Sequence, residues 1–312
     1  MTELPAGLSQ IADRYDALLC DVWGVIHNGR ESFPAALDAL VRWQAERGPV
    51  VLISNAPRPS LAIHAQLEHF RVPREAWTAF VTSGDATRAL LAERAPGPCW
   101  SIGPARDAPL YEGLGLAFAD AEDAAFVCVT GPYDDETETP EDYRGRFEVA
   151  VERGLEMICA NPDRVVQRGD QLIYCGGALA DLYEDMGGRV LMAGKPYAPI
   201  YDLALHEAGE IDPARVLCIG DGVITDVKGA ADHNLDCLFI ARGIHGDAAM
   251  RDGRLDAAAV EGLLAEEGVT ARCTTTEIDQ EKARITLETV CTVADKPVVE
   301  GEATIMVPRR EG

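Results

Sequence analysis

Acidic residues stand directly after two short apolar runs of this chain. Asp21 follows the run 17–20, and Asp221 and Asp226 follow the run 216–219. Carboxylate oxygens are the hard ligands that Mg²⁺ prefers, and a carboxylate can also attack a phosphoryl group. We therefore expect Asp21 and Asp221 to bind Mg²⁺, with Asp226 contributing through a water. Asp21 is also the predicted nucleophile.

Polar side chains follow two further apolar runs. Ser54 and Asn55 come after the run 50–53, and Lys195 comes shortly after Val190-Leu191-Met192. A hydroxyl and an ammonium group can bind the remaining oxygens of a phosphoryl group. This set of residues predicts phosphoryl transfer to Asp21, followed by hydrolysis of the aspartyl-phosphate by water.

Each of these residues also has a structural explanation. Ser54 suits a turn, Lys195 suits a solvated surface, and Asp221 and Asp226 suit the start of a helix. The coincidence of polar groups at several strand ends favours one common site instead. Because the carboxyl ends of parallel strands meet at one edge of a sheet, where ligands bind, we expect these side chains to converge there.

The elements that position these residues alternate between short buried strands and helices, which predicts an α/β fold with a Rossmann-like parallel sheet. From about Gly84 to Gly188 the loops lengthen and become rich in Pro, Asp and Glu. We interpret residues 85–188 as an inserted α/β unit within a core of residues 1–84 and 189–272. One large sheet is the alternative.

The last forty residues have a different pattern. Apolar and polar residues alternate from 284 to 293 and from 299 to 307, on either side of Asp295-Lys296-Pro297. Period-two alternation across a turn predicts a β-hairpin, and we assign residues 273–312 to a C-terminal β-hairpin extension. A hairpin is marginally stable alone, so it should pack on the core sheet or on a second chain, which leaves a homodimer open.

The composition of the chain limits which partners it can bind and indicates the cell compartment in which it works. The formal charge is −24, from 52 acidic and 28 basic residues, so no basic surface is expected for nucleic acid. No apolar run approaches the roughly 20 residues of a membrane span, and residues 1–16 lack a secretory pattern. Nine cysteines without a Cys-x-x-Cys pair suit buried thiols. We expect a cytoplasmic protein.

The motifs at these strand ends, in this order, resemble the haloacid dehalogenase-like hydrolase superfamily, over about residues 15 to 270. The segments 161–163 (Asn-Pro-Asp) and 194–196 (Gly-Lys-Pro) resemble its class IIA phosphatases. The resemblance implies that the inserted unit is a cap domain over the active site and that the substrate is a small phosphorylated metabolite.

The resemblance also implies roles for individual residues. Asp21 would be the nucleophile, and Ser54 and Lys195 would bind phosphate. Metal binding would fall to four groups, namely the Asp21 carboxylate, the Trp23 backbone carbonyl, Asp221 and, in support, Asp226. Asn55 is a further candidate for substrate binding. Asn161 and Asp163 fall where the cap of this class faces the substrate, although a turn before a strand explains them equally well.

Trp23 departs from the family pattern. Phosphatases of this superfamily usually carry a second aspartate two residues after the nucleophile, which protonates the leaving group and activates water. An indole cannot give up its proton near neutral pH, and losing a general acid typically costs ~10²–10⁴-fold in rate. A slow phosphatase, a phosphate-binding protein without turnover and a dehalogenase-type hydrolase therefore remain open. His27 is either a substitute acid or a structural residue.

A second resemblance concerns the C-terminal extension. Residues 277–308, especially the stretch 298–304, are similar to the final hairpin of hot-dog-fold enoyl-CoA hydratases. The central helix and the catalytic acid and histidine of that family have no counterpart in this sequence. The resemblance therefore implies no hydratase activity.

Overall fold

The computed structural model describes residues 8–168, 171–251, 254–266, 269–279, 284–293 and 296–306. Within these residues the strands are, in chain order, β1 (Ala17–Asp21), β2 (Val50–Ser54), β3 (Ala79–Thr82), β4 (Cys99–Ile102), β5 (Phe126–Val129), β6 (Glu156–Cys159), β7 (Val165–Arg168), β8 (Gln171–Tyr174), β9 (Arg189–Met192), β10 (Val216–Gly220), β11 (Asp236–Phe239), β12 (Met250–Arg251), β13 (Arg254–Leu255), β14 (Val269–Asp279), β15 (Arg284–Val293) and β16 (Lys296–Met306).

The α-helices of the described residues are, again in chain order, α1 (Pro34–Glu46), α2 (Ser60–His69), α3 (Ser83–Ala92), α4 (Arg144–Glu152), α5 (Gly176–Asp185), α6 (Ala198–Ala208), α7 (Lys228–Asp232), α8 (Gly246–Ala249) and α9 (Ala257–Glu266). None of the helices in the described part of the chain has both the length and the apolar character needed to cross a bilayer.

The chain forms two compact units. The first unit comprises the described residues up to Val25 and from Ile211 onward, and the second unit spans Ile26–Glu210. This division does not test the predicted core, cap and extension boundaries, which stay a prediction.

Parallel strands form the centre of the first unit. β10 pairs in parallel with both β1 and β11, in a register that sets Ala17 opposite Val216. Every residue of β1 and β10 is buried, and each Leu, Val or Ile so buried contributes about 1.5–3 kcal/mol. Asp21 ends β1 and Asp221 directly follows β10. Neighbouring parallel strands therefore deliver both acids at the same edge, as the sequence predicts.

The second unit contains two sets of parallel strands. β2 pairs with β3, and α6 packs against both strands and against α3. β4, β5, β6 and β9 form a separate four-stranded sheet. A buried aromatic cluster that includes Tyr143, Phe147 and Tyr183 forms part of its core. The α/β fold with parallel strands is thus confirmed.

The structure differs from the sequence expectation at β9. This strand, together with Lys195 after it, was expected to belong to the same sheet as β2, but β9 pairs with β6 as the edge strand of the four-stranded sheet. Strand periodicity shows that residues 189–192 form a strand without identifying its partner, because the paired residues, such as Glu156 and Arg189, lie 33 positions apart in the sequence.

The C-terminal strands form a three-stranded antiparallel sheet rather than a two-stranded hairpin. β15 pairs with β16 as predicted, and β14 pairs with β15 on its other side, with Val269 opposite Val293. β16 begins at Lys296, inside the segment predicted to be the turn, and Asp295 lies outside the described residues. The third strand was missed, although residues 269–274 alternate between apolar and polar and only the stretch 275–279 does not.

Candidate active site

Three carboxylates meet in the first unit. Asp21, Asp221 and Asp226 are each buried, and one carboxylate oxygen from each lies within 4.8 Å of the others. Buried carboxylates at this separation repel one another, so the arrangement is costly unless a proton or a cation lies between them. The sequence predicted that these three acids converge, and the structure brings them together. We call Asp21, Asp221 and Asp226 the carboxylate cluster.

Backbone N–H groups orient the carboxylates of Asp226 and Asp221. Asp226 lies in a single π-helical turn, Val223–Val227, a local widening of the helix that is frequent at functional sites. Its Oδ2 accepts the Gly222 N–H at 3.0 Å, so the side chain folds back toward the end of β10. The Oδ2 atom of Asp221 accepts the Ile244 N–H at 2.7 Å. Both side chains are thereby held in one orientation.

Three glycines give the carboxylate cluster its room. A Cβ at Gly24 or at Gly243 would lie 2.0 Å from Asp221 Oδ2, and a Cβ at Gly220 would lie 2.1 Å from Asp226 Cγ. Backbone therefore approaches the carboxylates where any side chain would displace them. Oxygen ligands held in so close a cradle suit a small hard cation such as Mg²⁺, so the residues present fit this ion.

These glycines were missing from the sequence-based site. Gly24 and Gly220 stand close to the acids in sequence, and a glycine beside a strand-end acid could have indicated a close backbone approach. Gly243 lies more than twenty residues from Asp221 and carries no comparable local indication.

Trp23 presents a large apolar side chain in the first unit. Its side chain is 43% exposed, although it lies two residues after the buried Asp21. The indole offers an N–H donor and no group that titrates near neutral pH. The predicted role of its backbone carbonyl toward a metal stays a prediction.

A hydrogen-bonded cluster in the second unit joins Asn55, Asp163 and Lys195. The Asn55 Nδ2 group donates to Asp163 Oδ1 at 2.8 Å and to the Lys195 carbonyl at 3.2 Å. The Lys195 N–H donates to Asn55 Oδ1 at 2.7 Å. Both Asn55 and Lys195 are buried. Three of the predicted site residues thus meet, although their strands belong to different sheets.

Ser54 and Asn161 each make a local turn contact. The Ser54 Oγ accepts the Ala56 N–H at 3.3 Å, and the Asn161 Oδ1 accepts the Asp163 N–H at 3.2 Å. These are the turn roles that the sequence left open beside the functional ones. Both oxygens act as acceptors here, and the Ser54 O–H and the Asn161 NH₂ remain chemically able to donate. Their contacts with a substrate stay a prediction.

The loop after β2 is held by the start of α3. Thr82 and Asp85 form a capping box, and the Thr82 hydroxyl also donates to the Arg58 carbonyl at 2.9 Å. The Ser60 N–H donates to Asp85 Oδ1 at 3.1 Å, and the Gly84 N–H to the Ala56 carbonyl at 3.0 Å. The spacing Thr-x-x-Asp after β3 was a readable sign of this cap. The loop that carries Asn55 is thereby anchored.

His27 has the surroundings of a structural residue. Its side chain is 1% exposed, its ring stacks on Phe70 with centroids 4.1 Å apart, and its Nδ1 accepts the Gly29 N–H at 3.1 Å. Burial lowers the pKa of His27 to about 4, so the ring is neutral at pH 7. A neutral imidazole is too weak an acid to act in place of the aspartate that the family resemblance implies at position 23. The structure therefore favours the structural role.

The buried cysteines of the described chain are poor nucleophiles. Burial raises the pKa of the Cys128 and Cys175 thiols to about 12 in each case. Since the thiolate is the reactive form, these side chains act as small apolar core residues.

Two family models and a solved structure are similar to this chain. A family model described as haloacid dehalogenase-like hydrolase matches residues 18–117, and a second model, described as HAD-hydrolase-like, matches residues 192–266. A haloacid dehalogenase-like family hydrolase from Brucella suis, known from a crystal structure, is 48% identical in sequence to this chain. The similarity covers 82% of this chain and 96% of that one, with a TM-score of 0.74.

Two curated proteins match in part. A D-glycerol 3-phosphate phosphatase from Mycobacterium tuberculosis is 24% identical over 246 residues, which cover 76% of this chain and 66% of that protein. An (R)-specific enoyl-CoA hydratase from Rhodospirillum rubrum is 57% identical over 42 residues, 14% of this chain and 29% of the hydratase. This chain thus spans under a third of the hydratase and about two thirds of the phosphatase. On the Brucella similarity, the chain belongs to the haloacid dehalogenase-like hydrolase family.

Proposed function

We propose that this chain is a Mg²⁺-dependent phosphatase of a small phosphorylated metabolite and that it works through an aspartyl-phosphate on Asp21. The observation that carries the proposal is the carboxylate cluster, three buried acids within 4.8 Å of one another in a cradle of glycines. A bound Mg²⁺ would offset the repulsion between these carboxylates and an incoming phosphate dianion.

Asp21 is the nucleophile of the proposed reaction. One of its carboxylate oxygens attacks phosphorus, and the bond between phosphorus and the ester oxygen breaks, so that the phosphoryl group is transferred to Asp21. The leaving alkoxide takes a proton and departs as an alcohol. Water then attacks the aspartyl-phosphate, which releases inorganic phosphate and a proton and restores the carboxylate.

Proton transfer is the weak step of this scheme. The family resemblance implies an aspartate where this chain has Trp23, and an indole cannot protonate the alkoxide, so water must supply that proton. The neutral His27 is buried against Phe70 and does not serve as the acid. We therefore expect slow turnover, reduced by roughly 10²–10⁴-fold for want of a general acid.

The proposal assigns four of the other predicted site residues to the substrate. Ser54 and the Lys195 ammonium bind the remaining phosphoryl oxygens, and Asn161 and Asp163 contact the part of the substrate beyond the phosphate. The name of the mycobacterial relative, a D-glycerol 3-phosphate phosphatase, supports a small phosphate monoester as substrate. The charge of −24 disfavours nucleic acid, and we propose a cytoplasmic location.

A screen of phosphate monoesters tests the proposal. We expect phosphate release that requires Mg²⁺, is abolished by EDTA and is absent from Asp21→Asn, which keeps the size of the side chain while losing the nucleophilic carboxylate. Sugar, polyol and aromatic phosphates should be included, because the sequence does not specify the leaving group. Equal phosphate release by the wild-type chain and Asp21→Asn would exclude the proposed mechanism.

Trp23 also supports a second candidate, a protein that binds a phosphorylated metabolite without hydrolysing it. Such a protein would keep the carboxylate cluster and Lys195 while lacking the proton-transfer step. It predicts that a phosphate ester raises the melting temperature in the presence of Mg²⁺ and is recovered unchanged. Multiple turnovers of that ester would exclude this candidate.

A further inference from the structure

The Asn55 side chain has no amide hydrogen left to offer a substrate. Its side chain is 6% exposed, and its Nδ2 group already donates to Asp163 Oδ1 and to the Lys195 carbonyl. An asparagine amide has two N–H donors, so both are in use. The sequence nominated Asn55 for substrate binding, and these contacts assign its amide nitrogen to the protein instead.

The hydrogen bonds also fix which way the Asn55 amide points. The Lys195 N–H can only donate, so the amide atom 2.7 Å from it must be the oxygen. The amide nitrogen then has to face Asp163 and the Lys195 carbonyl. One side chain thus holds both main-chain polar groups of Lys195, and this sets where the lysine side chain begins.

Close packing around Gly194 reinforces this link. A Cβ at Gly194 would lie 2.6 Å from Asn55 Oδ1, 2.7 Å from Ser83 Oγ and 2.8 Å from Pro162 Cδ. The Gly194 backbone therefore packs closely against both the loop after β2 and the segment 161–163. Asp163 belongs to that segment, and its position is coupled to Lys195 through the Asn55 amide.

We infer that Asn55 is a positioning residue, which couples the Asp163 carboxylate to the placement of Lys195. The inference rests on the proposed function in one respect, namely that Lys195 binds the phosphoryl group. Asn55 itself does not contact the substrate in this account. Its effect reaches the reaction through the lysine, and a misplacement of about 1 Å at such a group can lower the rate about 10²-fold.

Exchanging the two partners tests the coupling. Asn55→Asp places a second carboxylate 2.8 Å from Asp163, where the two repel, and we expect kcat/KM to fall about 10²-fold. In the double variant Asn55→Asp with Asp163→Asn, the amide introduced at position 163 can donate to the carboxylate introduced at position 55, which reverses the hydrogen bond. The 2.7 Å bond from the Lys195 N–H is kept, and only the longest contact, 3.2 Å, is lost.

The single variant Asp163→Asn is the matched reference for the double variant, because it carries any direct effect of the lost Asp163 charge. We expect Asn55→Asp to cost about 10²-fold in the wild-type background and under tenfold in the Asp163→Asn background. A residue whose effect does not depend on Asp163 would cost the same in both backgrounds. Equal costs would overturn the inference.

Binding of inorganic phosphate in the presence of Mg²⁺ gives a readout that needs no turnover. Calorimetric dissociation constants for the same four proteins should show the same non-additivity, and Lys195→Met should weaken phosphate binding in every background. If the wild-type chain binds phosphate without turnover, the phosphatase proposal fails while the coupling is still measured. If it hydrolyses esters and Asn55→Asp is additive with Asp163→Asn, the inference alone fails.

Discussion

Substitution of Gly24 by alanine offers the sharpest test of the carboxylate cluster, because it adds one methyl group at a known distance from one ligand atom. The new Cβ would lie 2.0 Å from Asp221 Oδ2, whereas ordinary van der Waals contact begins at 3.4 Å. The oxygen must therefore withdraw by more than about 1 Å. Mg²⁺ needs ligands at close to 2.0–2.1 Å in a nearly octahedral arrangement, so Asp221 would no longer coordinate it.

The substitution has two separable consequences for stability. Gly24 has a φ of +81°, so alanine there costs about 1–2 kcal/mol in backbone strain whether or not a metal binds. Loss of the metal removes a further term, which for an ion at one hundred times its dissociation constant is about 2.7 kcal/mol. Only the second consequence depends on Mg²⁺.

Gly113→Ala is the matched control. Gly113 has a φ of +75°, and no atom lies within 4 Å of the Cβ that alanine would add. The backbone strain should therefore be similar at both positions, while the clash with Asp221 occurs only at Gly24. Thermal unfolding with and without Mg²⁺, together with calorimetric Mg²⁺ titration, separates the two effects.

We expect Mg²⁺ to raise the melting temperature of the wild-type chain and of Gly113→Ala by similar amounts. It should leave Gly24→Ala almost unchanged, and the titration of that variant should show weak or no binding. A Gly24→Ala protein that binds Mg²⁺ as tightly as Gly113→Ala would refute the assignment of Asp221 to the metal.

Two further predictions concern Trp23 and His27, which follow Asp21 in the sequence. Trp23→Asp supplies a general acid, so we expect phosphatase kcat to rise by roughly 10²-fold, while Trp23→Phe, which adds no acid, should bring no gain. An unchanged rate in Trp23→Asp would indicate a pocket built around the indole. Burial lowers the pKa of His27 to about 4 in the folded chain, whereas the imidazole of the unfolded chain takes up a proton near pH 6.5. The free energy of unfolding that depends on the neutral ring is therefore complete above pH 6.5 and is lost as the pH falls toward 4. Between pH 7 and pH 4, the free energy of unfolding in urea should fall by about 3 kcal/mol more for the wild-type chain than for His27→Asn, which keeps an acceptor for the Gly29 N–H. Equal losses in the two proteins would contradict the assignment of His27 as a buried neutral ring.

The strands that carry the acids were predictable because each is a short, continuous run of apolar residues. β1 and β10 are buried along their whole length, so the sequence shows an unbroken apolar run that ends at the acid. Position at the carboxyl end of a parallel strand then follows from the fold class. The sequence alone was therefore enough to predict that Asp21, Asp221 and Asp226 lie close together.

Strand partners were harder to predict. The apolar run that becomes β9 looks like any buried strand, and its pairing with β6 depends on the packing of the four-stranded sheet rather than on its own residues. The β7–β8 hairpin was also missed, since residues 165–168 (Val-Val-Gln-Arg) do not alternate and both Val165 and Tyr174 are exposed. Local periodicity identifies an element and leaves its neighbours undetermined.

The role of Asn55 was outside the reach of sequence patterns. Its hydrogen-bond partners lie 108 and 140 residues away along the chain, and an asparagine after a strand is equally suited to a turn, a substrate contact or a clamp. Three-dimensional contacts distinguish these roles, because they show which donors and acceptors are already in use. Glycines such as Gly243 are hidden for the same reason.

The most direct test of the central claim is the rate of phosphate release from a reactive aryl phosphate with Mg²⁺, compared between the wild-type chain and Asp21→Asn. An aryl leaving group departs without needing a proton, so the missing general acid at Trp23 does not mask the first chemical step. We predict Mg²⁺-dependent turnover by the wild-type chain and only background release by Asp21→Asn. Turnover that survives in Asp21→Asn, or a wild-type chain that releases no phosphate above background, would contradict the account.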